Sequence, residues 1–364
     1  MTEKKNKTRK TTARGALLLL SLLLLALLLI FPRSAADYAR RALNLVATAL
    51  VPTLFPFMVI SDLLYRCGFV SVVGKPLEKP MQKIFRISGE GAGVMLLGML
   101  CGFPIGAKCA VALYDSGRLD ASECERLISL SSLPSAAFCI STVGLSLFSS
   151  VSVGIALYLS GVLSSIIVGI VTARLFRAEY ENLPIKKEAP PRELSVADIT
   201  EAVSSSAIGV VKISGFVLFF SVLLGVLGDI ALLKRLDGTP VALIYSLLEL
   251  TSGVAQTAAL SDVRVALTLT AFALGWSSLS IHLQIISLAA GRPLRFSRYL
   301  LSKLLVGVTS ALLVLVGTSI FPLSIKSTGA TMLTSGVPSG ICYPILCIFL
   351  ISLGVAIAKK VKSW

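Results

Sequence analysis

Two apolar stretches of this chain are interrupted at their middles by residues able to bind a solute. The first, Gly91–Lys108, reads GAGVMLLGMLCGFPIGAK, and the second, Val241–Leu260, reads VALIYSLLELTSGVAQTAAL. In the first, Gly102 and Gly106 allow close backbone approach, Phe103 offers a ring, and Pro104 lacks a backbone donor and so frees a carbonyl. A helix beginning just after such a break directs its first N–H groups at a pocket and favours an anion, and Lys108 would add a full positive charge there. In the second, Glu249 stands between Leu248 and Leu250 and is followed by Thr251, Ser252 and Gly253. A carboxylate at membrane depth binds a cation, takes up a proton, or pairs with a base such as Lys108. A third group, Ser277-Ser278-Leu279-Ser280-Ile281-His282-Leu283-Gln284, holds the only histidine. Ser278 and His282 are one helical turn apart and share a face, whereas Gln284 falls about 200° round from His282. Ser278, Ser280, His282 and Gln284 join the residues of the two interruptions as candidate substrate contacts.

Each group also has a plainer reading. Glycines and a proline make kinks that let helices cross, with Lys108 snorkelling to the headgroups. A shallower second segment would leave Glu249 in water. A single histidine is more often a hydrogen-bonded structural residue than a ligand, although one inside a membrane span is less easily set aside. Ser–His–Asp, Walker and HExxH patterns are absent, so neither catalysis nor ATP hydrolysis has sequence support. The seven cysteines contain no CxxC pair, and neither a metal nor another cofactor is expected.

The elements that must hold these residues follow from composition. Hydrophobic residues make up 55% of the 364, charged residues 15%, and the mean hydropathy is +0.87. No ordinary soluble domain has this balance. Apolar runs are about twice the ~10 residues of a barrel strand, so the fold class is an all-α polytopic membrane protein. The lipid bilayer is therefore its first partner. A net charge of +15 does not point to nucleic acid, because the basic residues lie in short links between apolar runs.

Eight spans are predicted, at Gly15–Phe31, Leu43–Tyr65, Ile128–Phe148, Val151–Phe176, Ser214–Leu233, Val263–Ala290, Tyr299–Phe321 and Ser339–Ala358, each near the ~20 residues a bilayer requires. Pro52 and Pro56 should kink or divide the second. A cleaved signal peptide is the rival reading of the first, and a retained helix over 15–32 behind a basic tail at 1–14 is preferred. With the amino terminus cytoplasmic and both broken segments re-entrant, most basic residues fall inside, Arg292, Arg295, Arg298 and Lys303 among them. The first hairpin then dips from the cytoplasm and the second from the opposite face, an inverted repeat of 42–178 and 199–358 joined by a cytoplasmic linker at 179–198, with both termini cytoplasmic and a basic tail at 359–364. Backbone broken at membrane depth survives only where it lines a cavity, and paired breaks mark a transporter's substrate site.

At these residues the chain resembles the Gate, or nucleoside-recognition, family of membrane proteins. The pieces that carry the resemblance are Val51-Pro52-Thr53-Leu54-Phe55-Pro56-Phe57, Gly102-Phe103-Pro104-Ile105-Gly106-Ala107-Lys108, Glu125-Arg126-Leu127, Leu248-Glu249-Leu250-Thr251-Ser252-Gly253 and Leu279-Ser280-Ile281-His282-Leu283-Gln284. The resemblance implies a fold related to concentrative nucleoside transporters and a role in endospore formation. The activity it implies is transport of dipicolinic acid, a flat aromatic dianion, across the outer forespore membrane. In one place the chain departs from the family: Ser131-Ser132-Leu133-Pro134-Ser135-Ala136 stands where an Asn and a Ser-Gly-Pro are common. Three readings follow: a carrier of a small anion such as dipicolinate, a nucleoside-type carrier, and a non-transporting scaffold of spore assembly. Coupling to a proton or cation, and oligomerisation, remain open.

Overall fold

The computed structural model describes residues 2–175, 195–230 and 238–320, and every element in them is helical. In chain order these are α1 (Thr2–Ile30), α2 (Pro32–Leu45), a π-helical stretch (Val46–Leu50), α3 (Val51–Arg66), α4 (Phe69–Phe85), α5 (Glu90–Cys101), α6 (Ile105–Asp115) and α7 (Ala121–Ser131). A second π-helical stretch (Phe138–Leu147) is followed by α8 (Val151–Leu175), α9 (Val196–Asp229), α10 (Thr239–Leu248), α11 (Leu250–Ala258), α12 (Val263–Trp276), α13 (Ser278–Leu288) and α14 (Phe296–Ile320).

Among the described residues, α8, α9, α12 with α13, and α14 are long and apolar enough to cross a bilayer. Two bent pairs raise the number to six: Arg14–Ile30 with Pro32–Thr48, bent by 97°, and Leu54–Arg66 with Phe69–Phe85, bent by 66°. The chain is thus an integral, multi-pass membrane protein. The spans at Ser339–Ala358 and the basic tail after it lie outside the described residues, as do Cys342, Cys347 and most of the linker.

Two spans differ from their sequence reading. Ile128–Phe148 is not continuous, because α7 stops at Ser131 and helix resumes only after Ser135. Pro134 lacks the N–H that would continue the ladder and clashes with a helical carbonyl behind it. Val263–Leu288 is interrupted at Ser277 and Ser278, whose φ values of 81° and 72° lie in the left-handed region. Left-handed backbone on a non-glycine residue costs ~1–3 kcal/mol and persists only where its surroundings impose it.

Local sequence starts several helices. Asp120 and Glu123 form a reciprocal capping box at α7, Ser195 and Asp198 form another at α9, and Asp262 accepts from Arg264 and Val265 N–H to start α12. The order hairpin, broken span, long helix occurs twice: α5–α6, α7 with Phe138–Leu147, then α8; and α10–α11, α12 with α13, then α14. The long helices α8 and α14 pack against one another and share a hydrogen bond of 3.0 Å between the Ser160 and Ser310 hydroxyls.

Candidate substrate cavity between the hairpin tips

Both interrupted segments fold back on themselves. An ideal Cβ at Gly98 would lie 2.2 Å from the Ser131 carbonyl oxygen, and one at Gly106 would lie 2.5 Å from the same atom. The two glycines are therefore within ~5 Å of each other at their Cβ positions, whereas eight residues of continuous helix rise ~12 Å. The chain reverses between them, at Gly102-Phe103-Pro104, where Gly102 has φ 79°. In the second segment, a Cβ at Gly253 would sit 2.4 Å from the Ser246 Cα, and seven helical residues would separate those positions by ~10 Å. Here the reversal is at Glu249, whose extended backbone (φ −142°, ψ 129°) divides α10 from α11.

The two tips face one cavity of about 80 Å³, partly open to the outside. Gly102 and Phe103 come from the first tip, Glu249, Leu250 and Thr251 from the second. Gln284 and Ile281 of α13 and Pro134, Ser135 and Phe138 of the first broken span also line it, while Leu50, Leu54, Ile213 and Val217 of the α3 and α9 region supply an apolar wall. Of the candidate contacts, the fold brings Gly102, Phe103, Glu249, Thr251 and Gln284 together at this cavity. Pro134 and Ser135 belong to the Ser131–Ala136 stretch singled out in the sequence, and they lie on the cavity wall.

Glu249 is 3% exposed. Its carboxylate oxygens accept from the Thr251 N–H (3.0 Å) and the Ser252 N–H (2.7 Å), so the side chain caps α11. This is a charge-assisted cap at the positive end of a helix. Ser252 contributes a backbone donor to it, and Gly253 serves the close approach to Ser246. The corresponding start of α6, after Pro104, receives no side-chain cap.

The other candidates lie off the cavity. Gly106 packs on Ser131. Lys108 does not meet Glu249, and it does not extend the pocket's positive charge. Its ammonium donates to Asp62 Oδ1 (3.1 Å) and to the Ser205 hydroxyl (3.2 Å). Asp62 also accepts from Ser205 (3.0 Å) and from Arg66 Nε (3.3 Å), which joins α3, α6 and α9. The helical twist decides this: Lys108 is the fourth residue of α6, and by then its face has turned from the tip toward α3 and α9. His282 is fully buried, with Nδ1 3.0 Å from the Tyr299 hydroxyl and its ring 4.4 Å from that of Trp276. Its Nε2 and the Ser278 hydroxyl have no hydrogen-bond partner among the described residues. Gln284 donates weakly to the Ser280 hydroxyl at 3.4 Å, on a different side of α13 from His282.

Lys303 is a correction of larger consequence. The charge count assigned it to a polar link, but it lies in the second turn of α14 with no solvent exposure. Its ammonium donates to the Ser132 carbonyl at 2.6 Å and stands 5.9 Å from the centroid of the Phe103 ring. Tyr299-Leu300-Leu301-Ser302-Lys303 reads equally well as headgroup-level sequence, and only the packing of α14 against α7 carries the charge inward.

Lys108→Gln tests the ion-pair assignment. With Asp62 only 10% exposed at its side chain and Lys108 32%, removing the cation leaves a largely buried carboxylate short of a charged donor. We expect stability in detergent to fall by ~1–3 kcal/mol, and Asp62→Asn in the same chain to recover part of that loss. A Lys108→Gln protein with unchanged melting temperature would remove the pair from the fold's energetics.

With this geometry in hand, the chain can be set beside known proteins. Residues 47–173 match the Gate family, described as nucleoside recognition. The matched segment runs from the first π-helical stretch to the end of α8 and so contains the first hairpin and the first broken span. The chain is also 28% identical to the sporulation integral membrane protein YlbJ of Bacillus subtilis (strain 168), over 78% of this chain and 78% of that protein. No solved structure matches.

Proposed function

We propose that the chain is a membrane transporter of a small anionic solute, which passes through the cavity between the hairpin tips. The observation that carries this reading is the meeting of the two broken segments, from distant parts of the sequence, at one polar-and-apolar cavity. Interrupted backbone in a bilayer needs such a cavity, and transport gives it a use. Dipicolinic acid is the solute proposed, moved across the outer forespore membrane. The similarity to a sporulation protein supports the setting. An aromatic dianion suits a cavity bounded by Phe103, an uncapped helix start and the nearby Lys303.

Glu249 and Gln284 on the cavity wall favour a second reading, a nucleoside-type carrier, since amide and carboxylate groups bind neutral hydroxyls and bases well. Uptake of labelled dipicolinate against labelled uridine into proteoliposomes separates the two. Accumulation of uridine alone would transfer the proposal to the second reading. Accumulation of neither, with spore formation intact in a transport-dead variant, would leave the scaffold.

We further propose eight spans in an inverted repeat of 42–178 and 199–358, with cytoplasmic termini. Two contacts support it. Arg292, between α13 and α14, grips Asp115 at the end of α6 with two bonds of 2.6 Å, and that carboxylate holds the guanidinium pKa above its ordinary value. Arg264, at the start of α12, meets Ser319 near the end of α14. The first contact joins the ends through which α5–α6 would enter, and the second joins the opposite end of the bundle. In a chain freed of native cysteines, single cysteines at Ser116 and Ala290 should label from the cytoplasmic face only, and those at Ser150 and Ser261 from the other only. Labelling of all four from one face would sink the inverted arrangement.

A further inference from the structure

We infer that Lys303 sets the charge selectivity of the cavity, acting from its position beside Phe103. This rests on the transport reading above and adds to it the residue that distinguishes an anionic solute from a neutral one of the same shape.

Among the described residues, Lys303 is the only lysine or arginine that is fully buried. An ammonium removed from water is costly unless it is paired and hydrogen-bonded. Lys303 has three N–H donors, one of which meets the Ser132 carbonyl at 2.6 Å, and its charge stands 5.9 Å from the Phe103 ring centroid. No carboxylate among the described residues forms an ion pair with it. The acid on the cavity wall, Glu249, already spends both oxygens on α11. Lys108, the other lysine near the first tip, is engaged by Asp62. A buried cation is therefore left with a carbonyl and an aromatic ring, and that same aromatic residue lines the cavity.

The position is electrostatically apt for an anion. Phe103 precedes the start of α6, which no side chain caps. A carboxylate in the cavity beside Phe103 would meet the positive end of that helix and the field of the nearby ammonium. At cavity distances and in partly desolvated surroundings, one such charge changes the affinity of an anion by about ten-fold or more.

A structural role accounts for part of the geometry, because Lys303 also satisfies a carbonyl left over at the end of α7. That role needs a donor and not a charge. Lys303→Gln keeps a donor and removes the charge, so the two roles separate in one variant. The measurement is calorimetric binding to the purified full chain of dipicolinate and of its neutral diamide, pyridine-2,6-dicarboxamide.

Lys303→Gln is expected to bind the dicarboxylate at least ten-fold more weakly than the wild type while holding the diamide within about two-fold, and Lys303→Arg to restore the preference. Equal losses for both compounds, or no loss for the dicarboxylate, would overturn the inference and leave the transport reading standing. If Lys303→Gln does not yield monodisperse protein, Phe103→Leu decides. Without the ring that holds the ammonium beside the cavity, the affinity ratio of dicarboxylate to diamide should fall several-fold, and an unchanged ratio overturns the inference. Wild-type protein that binds neither compound would sink the transport reading and this one with it.

Discussion

Gly106→Ala is expected to cost the protein its fold. A methyl group at this position would lie 2.5 Å from the Ser131 carbonyl oxygen, 2.6 Å from the Ser131 Cβ and 2.7 Å from its hydroxyl. The first of these is backbone at the end of α7, where the chain is held by the break that follows. It has nowhere to retreat without moving Pro134 and Ser135 off the cavity wall. A Cβ added at Gly98, on the opposite arm of the hairpin, would lie 2.2 Å from the same carbonyl oxygen, so that oxygen has no room to move toward either arm. Overpacking at such a point costs several kcal/mol, against a total stability of ~5–15 kcal/mol. We expect Gly106→Ala and Gly98→Ala to lower membrane abundance severely and to destroy the cooperative melt in detergent. Gly161→Ala and Gly215→Ala are the controls. Both positions are helical, with nothing within 4 Å of an added Cβ, and alanine there should be neutral or stabilise by ~0.5–1 kcal/mol. If Gly106→Ala melts like the controls, α5 and α6 do not fold back on Ser131.

Glu249→Gln is expected to stop substrate accumulation while leaving the protein inserted. The carboxylate has two tasks: it caps α11 through two backbone N–H groups, and it presents a negative charge to the cavity. Glutamine keeps one acceptor oxygen for one of those donors and turns an amide NH2 toward the other. The capping loss should be ~1–2 kcal/mol, tolerable for a membrane bundle. The charge has no substitute. If it binds the coupling proton or cation, accumulation above equilibrium disappears in Glu249→Gln even though binding and insertion persist. Glu249→Asp keeps the charge on a shorter arm and should retain a fraction of transport. Because Lys108 is engaged by Asp62 and not by Glu249, the stability losses of Glu249→Gln and Lys108→Gln should add. Full uphill transport by Glu249→Gln at normal abundance would remove this residue from the mechanism.

The class of the protein was legible in the sequence because a bilayer acts on composition and length, which are local properties. Apolar runs of ~20 residues, and backbone that may break only where a cavity excuses it, leave few options. The glycines and proline at 102–106 and the acid at 249 could therefore be read as two interruptions. Even the break at Ser132–Ser135 had a signal in Pro134, although it was read as one departure within a continuous span. The left-handed pair Ser277 and Ser278 had no such mark, since serine carries no intrinsic preference for that backbone, and the packing around it imposes the strain.

What the tertiary structure alone decided is which charge meets which partner. Lys108 closes the apolar stretch Gly91–Lys108 and Lys303 follows the basic link Arg292–Arg298, and nothing in their local sequence marks Lys303 as the more deeply buried of the two. The turn of α6 carries Lys108 away from the tip to Asp62, a residue 46 positions earlier in the chain. The packing of α14 on α7 carries Lys303 inward to a carbonyl 171 positions away and to the ring of Phe103. Helical phase within an element is a property of sequence. The neighbour that a given face meets is a property of how the elements pack, and for an ionisable group in a low-dielectric interior that neighbour determines whether its charge is neutralised or available.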